Sequence, residues 1–169
     1  MIKKKYYCKH CKKYHTLQTD IGKEHLHYID TTKPKYLTND EVNELLKVED
    51  TIDYKLFNKY SYKWTGGIDP SGRDMAVQIA NSNRKLKQYL HYRQFGKKIP
   101  KEVILYRVGG IEFDNYEWSS FWAKYGAAKM YQKRFGVNII YKYKATINNV
   151  IPSLSGAGEI FAKKTKRIN

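Results

Sequence analysis

Val103-Ile104-Leu105-Tyr106-Arg107-Val108, closed at once by Gly109-Gly110, is the stretch on which the fold turns. Its β-branched and aromatic residues, stopped by two glycines, predict a strand that delivers an arginine near its end. A second strand is expected over Ile111–Phe113. Trp118-Ser119-Ser120-Phe121-Trp122 then sets a hydroxyl pair between two tryptophans. From Lys124 to Phe135, Ala127, Ala128, Met130 and Tyr131 follow a helical pattern, and Gly136 is a suitable residue to end it. Val137 to Ala145 alternates as a strand, Ile147–Ile151 is expected to extend it, and Gly158-Glu159-Ile160-Phe161 opens the last apolar run. Lys163-Lys164-Thr165-Lys166-Arg167 reads as a basic tail.

Upstream the period is helical. Thr38-Asn39-Asp40-Glu41 has the capping-box pattern, with Val42, Leu45 and Leu46 behind it, and predicts a helix over about 39–48. Tyr54, Phe57, Tyr60, Tyr62 and Trp64 form an aromatic packing face on a helix or loop. Thr65–Gly72, with three glycines and a proline, reads as a loop; it lacks the Lys-Ser/Thr ending of a phosphate-binding loop. Met75, Ile79, Leu86 and Leu90 place one basic, amphipathic helix over Arg73–Tyr92, ending near Gly96. Helices first and strands later, with one helix inserted, make an α+β domain.

The chain carries 32 basic against 16 acidic residues, a net charge of +16. A surplus of that size concentrates polyanions, so nucleic acid, nucleotides or an acidic protein surface are favoured partners. Together with the Cys8-x-x-Cys11 segment it tilts the expectation towards nucleic acid or a protein bound to it. Apolar residues at 41% exclude global disorder. No stretch reaches the roughly 18 apolar residues that span a bilayer. The charged start, Met1 to Cys8, has no apolar run behind it and is not read as a secretory signal. No membrane association is expected. Lysine- and tyrosine-rich usage points to a low-GC bacterial or phage origin, hence to the cytoplasm of a bacterial cell.

Cys8 and Cys11 are the only cysteines. In a reducing compartment a CxxC pair serves metal or redox chemistry better than a structural disulfide. Two thiolates supply one edge of a zinc tetrahedron, and the other edge must come from histidine. His25 and His27, at i and i+2, are one candidate pair, and His15 competes for a place. Four filled positions would make the zinc structural. Residues 1–36 are therefore expected to form a zinc-binding module and 37–169 a second domain.

Arg107, Ser119/Ser120 and Glu159 are the candidates for chemistry. An arginine at a strand end can fork onto a pyrophosphate with two parallel donors. A hydroxyl can position a carboxylate. A glutamate leading a strand can accept from a ribose 2′-hydroxyl and favour the oxocarbenium-like state of glycosyl transfer. In this order and context the chain, from about residue 54 to 169, resembles the mono-ADP-ribosyltransferase family, in its short bacterial, toxin and phage form. Leu105-Tyr106-Arg107 resembles the motif whose arginine binds the NAD phosphates. Trp118-Ser119-Ser120 resembles the Ser-Thr-Ser motif whose serine steadies the catalytic glutamate, although Ser120-Phe121-Trp122 is an alternative register. Gly158-Glu159-Ile160-Phe161 resembles the motif that carries that glutamate, Glu159. The resemblance implies a split β-sandwich with a helical N-terminal portion, NAD in a central cleft as co-substrate, and ADP-ribose transfer to a macromolecular acceptor. Ala157 stands two residues before Glu159, where the family has Glu or Gln, so the acceptor stays open. The alternative is a non-enzymatic, zinc-stabilised nucleic-acid-binding protein of a phage or mobile element.

Overall fold

The computed structural model describes residues 5–8, 12–16, 34–67, 70–109, 117–136, 139–154 and 158–168. The chain divides into two compact units, Met1–Pro34 and Lys35–Asn169.

In the first unit, strands β1 (Lys5–Cys8) and β2 (Lys13–Thr16) pair antiparallel, from Lys5 opposite Thr16 to Cys8 opposite Lys13. Lys12, just before β2, has a left-handed φ of 55°, as a tight turn back requires.

The second unit begins with β3 (Lys35–Tyr36), paired antiparallel with β4 (Lys98–Ile99). β3 falls within the last residues of the span 1–36 expected to form the zinc-binding module. Helix α1 (Asn39–Leu46) starts as its capping box dictates: Glu41 N donates to Thr38 Oγ1 at 3.2 Å, and Thr38 N donates to Glu41 Oε2 at 2.9 Å. That backbone donor, more than the nearby Lys35 charge, holds the Glu41 carboxyl below its ordinary range. A 3₁₀ turn at Lys47–Asp50 leads into α2 (Ile52–Gly67), α3 (Pro70–Ser82) and α4 (Arg84–Phe95).

Two sequence expectations fail in this region. The glycine-rich stretch 65–72 is mostly helix: α2 absorbs Gly66-Gly67, and Pro70 opens α3, where its missing N–H has no partner to lose. The single helix expected over Arg73–Tyr92 is two. Asn83 adopts an extended backbone (φ −125°, ψ 100°), accepts from Leu86 N at 3.0 Å and donates to Asp53 Oδ2 at 2.8 Å. It caps a new helix, which resets the buried stripe to Ala76, Val77 and Ala80 on α3 and to Leu86, Tyr89 and Leu90 on α4, leaving Met75 exposed.

Six strands form the main sheet: β5 (Glu102–Val108), β6 (Ser119–Trp122), β7 (Ile140–Thr146), β8 (Val150–Pro152), β9 (Glu159–Ala162) and β10 (Lys166–Arg167). Every neighbouring pair is antiparallel, in the order β10-β7-β5-β6-β9-β8. Residues 166 and 167, read as tail, close one edge. Residues 147–149 form a 3₁₀ turn rather than extending β7. Helix α5 (Tyr125–Phe135) follows β6 and ends on Gly136 in the left-handed region, φ 66°. The strand expected over 111–113 lies outside the described residues.

The turn between β7 and β8 decides the sheet's shape. In the strand order these two are four positions apart, about 19 Å in a flat sheet. The chain from Thr146 to Val150 spans at most about 14 Å even fully extended, so the sheet folds over on itself. Its concave face encloses Val103, Leu105, Phe121, Tyr143, Ala145, Val150, Ile160 and Ala162. On the other face Ile151 and Phe161 join Trp118 and the helical core of Phe57, Ala76, Leu86, Tyr89 and Leu90. Burying each large apolar side chain contributes about 1.5–3 kcal/mol before entropy is counted. The fold is α+β with antiparallel sheets. Among the described residues no helix is long and apolar enough to cross a membrane.

Candidate active site

Strands β5, β6 and β9 lie side by side and carry Arg107, Ser119/Ser120 and Glu159 respectively. Between β5 and β6 the register holds one pair, Tyr106 opposite Trp122. Beyond it no further pair is formed among the described residues, while β5 keeps its bonding to β7 as far as Gly109 N donating to Ile139 O at 3.0 Å. β6 stays paired along its whole length with β9. Arg107 on β5 and Ser119-Ser120 on β6 thus stand past the last paired position of the two strands.

Strand parity sorts these side chains. Arg107 alternates with Val103 and Leu105 on the concave face, and its guanidinium lies 5.8 Å from the Phe121 ring centroid. Ser119, two residues before Phe121 on β6, shares that face. Trp122 and Ser120 take the opposite face. Since Trp122 pairs with Glu159 and Ser120 with Phe161, Ser120 and Glu159 are diagonal neighbours on one face, about 7 Å apart. The structure thus makes Ser120 and Glu159 diagonal neighbours on one face, and puts Ser119 on the face of Arg107, opposite to that of Glu159.

Glu159 is buried, 8% exposed. Gly158 precedes it at φ +71°, a conformation that favours glycine, and gives its carbonyl to Ala123 N at 2.9 Å. The Glu159 carbonyl accepts from both Ser153 N (3.0 Å) and Ser153 Oγ (2.9 Å). Ser153 O in turn accepts from Ser61 Oγ of α2 at 2.8 Å. The backbone of the candidate catalytic residue is thereby tied to the helical layer. The buried Ser120 Oγ has no hydrogen-bond partner among the described residues, which leaves it able to serve a carboxylate or a ligand.

The concave face gathers a second cation. Arg167 stands 4.1 Å over the Tyr141 ring, and Tyr141 is the cross-strand partner of Arg107. Burial pushes the Tyr143 hydroxyl up, while the Arg167 and Arg107 charges pull it down, so both guanidiniums act on one spot. Sequence reasoning missed Arg167, Ser61, Ser153 and the buried Arg73 of α3, whose Nε donates to Asp74 Oδ1 at 3.1 Å. Gly158 alone carried a signal, a glycine directly before a strand.

Of the expected zinc ligands, Cys8 ends β1 and His15 lies on β2 opposite Tyr6. Cys11, His25 and His27 lie outside the described residues, as does Ala157. Among the described residues no group of three or more His, Cys, Asp or Glu is placed to hold a metal.

The chain matches no protein family, no curated protein and no solved structure with which it was compared.

Proposed function

We propose that the second unit is an NAD-dependent mono-ADP-ribosyltransferase with an ADP-ribosyltransferase-like split β-sandwich. One observation carries the reading: residues as distant as 107, 120 and 159 fall on three adjacent strands, beside the one position at which β5 and β6 pair among the described residues. Arg107, joined by Arg167, offers forked donors to the pyrophosphate on the concave side. Glu159 accepts from the ribose 2′-hydroxyl on the other side, and Ser120 positions its carboxylate.

In the reaction the C1′–N bond to nicotinamide breaks and its electron pair neutralises the pyridinium nitrogen. The Glu159 carboxylate offsets the positive charge that grows on the ribose, an interaction stronger in the transition state than in the substrate. A nucleophile of a macromolecular acceptor then bonds to C1′ and releases its proton to solvent or to a base of its own. Ala157 supplies no such base. In the first unit, zinc held by Cys8, Cys11 and two of His15, His25 and His27 would fix the β1–β2 hairpin; a hairpin whose first strand ends on the first cysteine fits a knuckle.

The test is transfer of label from NAD to nucleic-acid and protein acceptors in a lysate, with nicotinamide release measured alongside. Glu159→Gln is expected to lower both by about 10²–10³-fold with folding retained. Wild-type protein that shows neither transfer nor release with both acceptor classes present overturns the reading.

A further inference from the structure

Between Glu117 and Glu159 the chain contains no Asp or Glu. Helix α5 sits in the middle of this span and carries Lys124 before it and Lys129 and Lys133 within it. None of these three lysines meets a carboxylate among the described residues. Lys129, Met130 and Lys133 follow at i, i+1 and i+4, and all are exposed, Met130 at 76%. With no carboxylate nearby, these lysines give the helix surface a single sign, which attracts anions.

The aromatic side chains flanking the lysines add a second property. Tyr125 packs edge-on against Tyr106 with centroids 5.5 Å apart and stays 51% exposed. Tyr131 packs against Trp122, also at 5.5 Å, and stays 39% exposed. Each ring packs against an aromatic of the sheet and keeps a large part of its surface exposed, which a base could stack on. Trp122 is the cross-strand partner of Glu159, so the platform lies on the Glu159 face of the sheet.

We infer that the outer face of α5 binds single-stranded nucleic acid, with Lys124, Lys129 and Lys133 on phosphates and Tyr125 and Tyr131 against bases. Unpaired bases can reach the rings, whereas a duplex offers mainly its backbone. Binding needs no chemistry. That the bound strand is also the acceptor rests on the transferase reading.

The experiment uses the full chain carrying Glu159→Gln, without NAD, and a fluorescein-labelled 20-nucleotide single strand read by anisotropy. Three phosphate contacts predict a log K against log salt slope of about −2, from −0.7 per contact on a single strand. Lys129→Glu with Lys133→Glu should weaken binding at least tenfold at low salt and make the slope shallower by about 1.4. Met130→Ala, which fills no core position, should leave binding within about twofold.

Tighter binding to the single strand than to a duplex of the same sequence supports the inference. No binding at low salt overturns it. So does an equal loss from Lys55→Glu with Lys59→Glu on α2. Stronger, Lys129- and Lys133-dependent binding to phosphatidylserine vesicles reassigns the face to a membrane and overturns it as well. Because NAD is absent, a negative result here leaves the transferase reading standing, and a failed NAD assay leaves this one.

Discussion

Lowering the pH from 8 to 5 should cost the second unit about 2 kcal/mol of stability through His91 alone. His91 lies on α4, 7% exposed, with Nε2 2.7 Å from the Val150 carbonyl of β8. A carbonyl only accepts, so Nε2 carries the proton in the neutral ring. Burial pushes the His91 pKa down to about 4, the Lys87 charge adds to this, and the Val150 bond opposes it. The unfolded chain takes up a proton near pH 6.5, so between 6.5 and 4 it binds more protons than the folded one. Stability is then full above pH 6.5 and drains as pH falls towards 4, at up to about 1.4 kcal/mol per pH unit. Integrated from pH 8 to 5 this gives about 2 kcal/mol, resolvable within the 5–15 kcal/mol of a typical domain. Stopping at pH 5 keeps carboxylates with lowered pKa, such as Glu41 and Glu117, ionised. The assay is urea unfolding followed by tryptophan fluorescence, since all three tryptophans lie in the second unit. His91→Gln keeps a donor and cannot titrate, and histidines elsewhere cancel in the comparison. The pH 8 to 5 loss should be about 2 kcal/mol smaller in the variant. An equal loss in both proteins, or a His91 ring that titrates near 6.5 by NMR, refutes the reasoning.

Three further outcomes follow from local geometry. Thr38→Ala removes the acceptor that caps α1 and should lower stability by about 1 kcal/mol in urea unfolding, with the site unaffected. Gly158→Ala forces a side chain into φ +71° directly before Glu159; a loss of about 1–2 kcal/mol is expected, with transfer activity falling further than stability. If the first unit holds structural zinc, purified protein should contain about one metal equivalent, and Cys8→Ser or a strong chelator should remove it and unfold that unit by circular dichroism.

The elements that were legible in the sequence are those specified locally. The Thr38 capping box, the β-branched run at 103–108 and Gly136 each set their own backbone, and each element formed within a few residues of its expected place. The failures share a different cause. Asn83 breaks a stripe that looks continuous, because its side chain finds Leu86 N and Asp53 at once. Gly66-Gly67 stay helical although both glycines weaken a helix. Lys166-Arg167 resemble a solvated tail, and only their pairing with Tyr143 and Lys144 makes them a strand. For Asp53 with Asn83 and for β7 with Lys166-Arg167 the partner is distant in sequence, beyond the reach of periodicity.

The site shows the same division, and its illegible part yields the sharpest test. Which serine serves Glu159 depends on the β6–β9 register, and a slip of one residue would send every side chain of β6 to the other face. The observed register, Ser120 opposite Phe161 and Trp122 opposite Glu159, gives Ser120 to the carboxylate and Ser119 to the Arg107 side. A hydrogen bond to a charged group contributes about 1.5–3 kcal/mol, or roughly ten- to hundredfold in rate. Ser120→Ala should therefore lower kcat for ADP-ribose transfer by that factor and leave KM for NAD within about twofold. Ser119→Ala should act on KM instead, because it lies on the concave face with the arginine proposed to hold the pyrophosphate. Both should unfold at urea midpoints close to wild type. The reverse pattern, with Ser119→Ala lowering kcat and Ser120→Ala silent, would mean that β6 is offset by one residue and that Ser119, not Ser120, shares the face of Glu159.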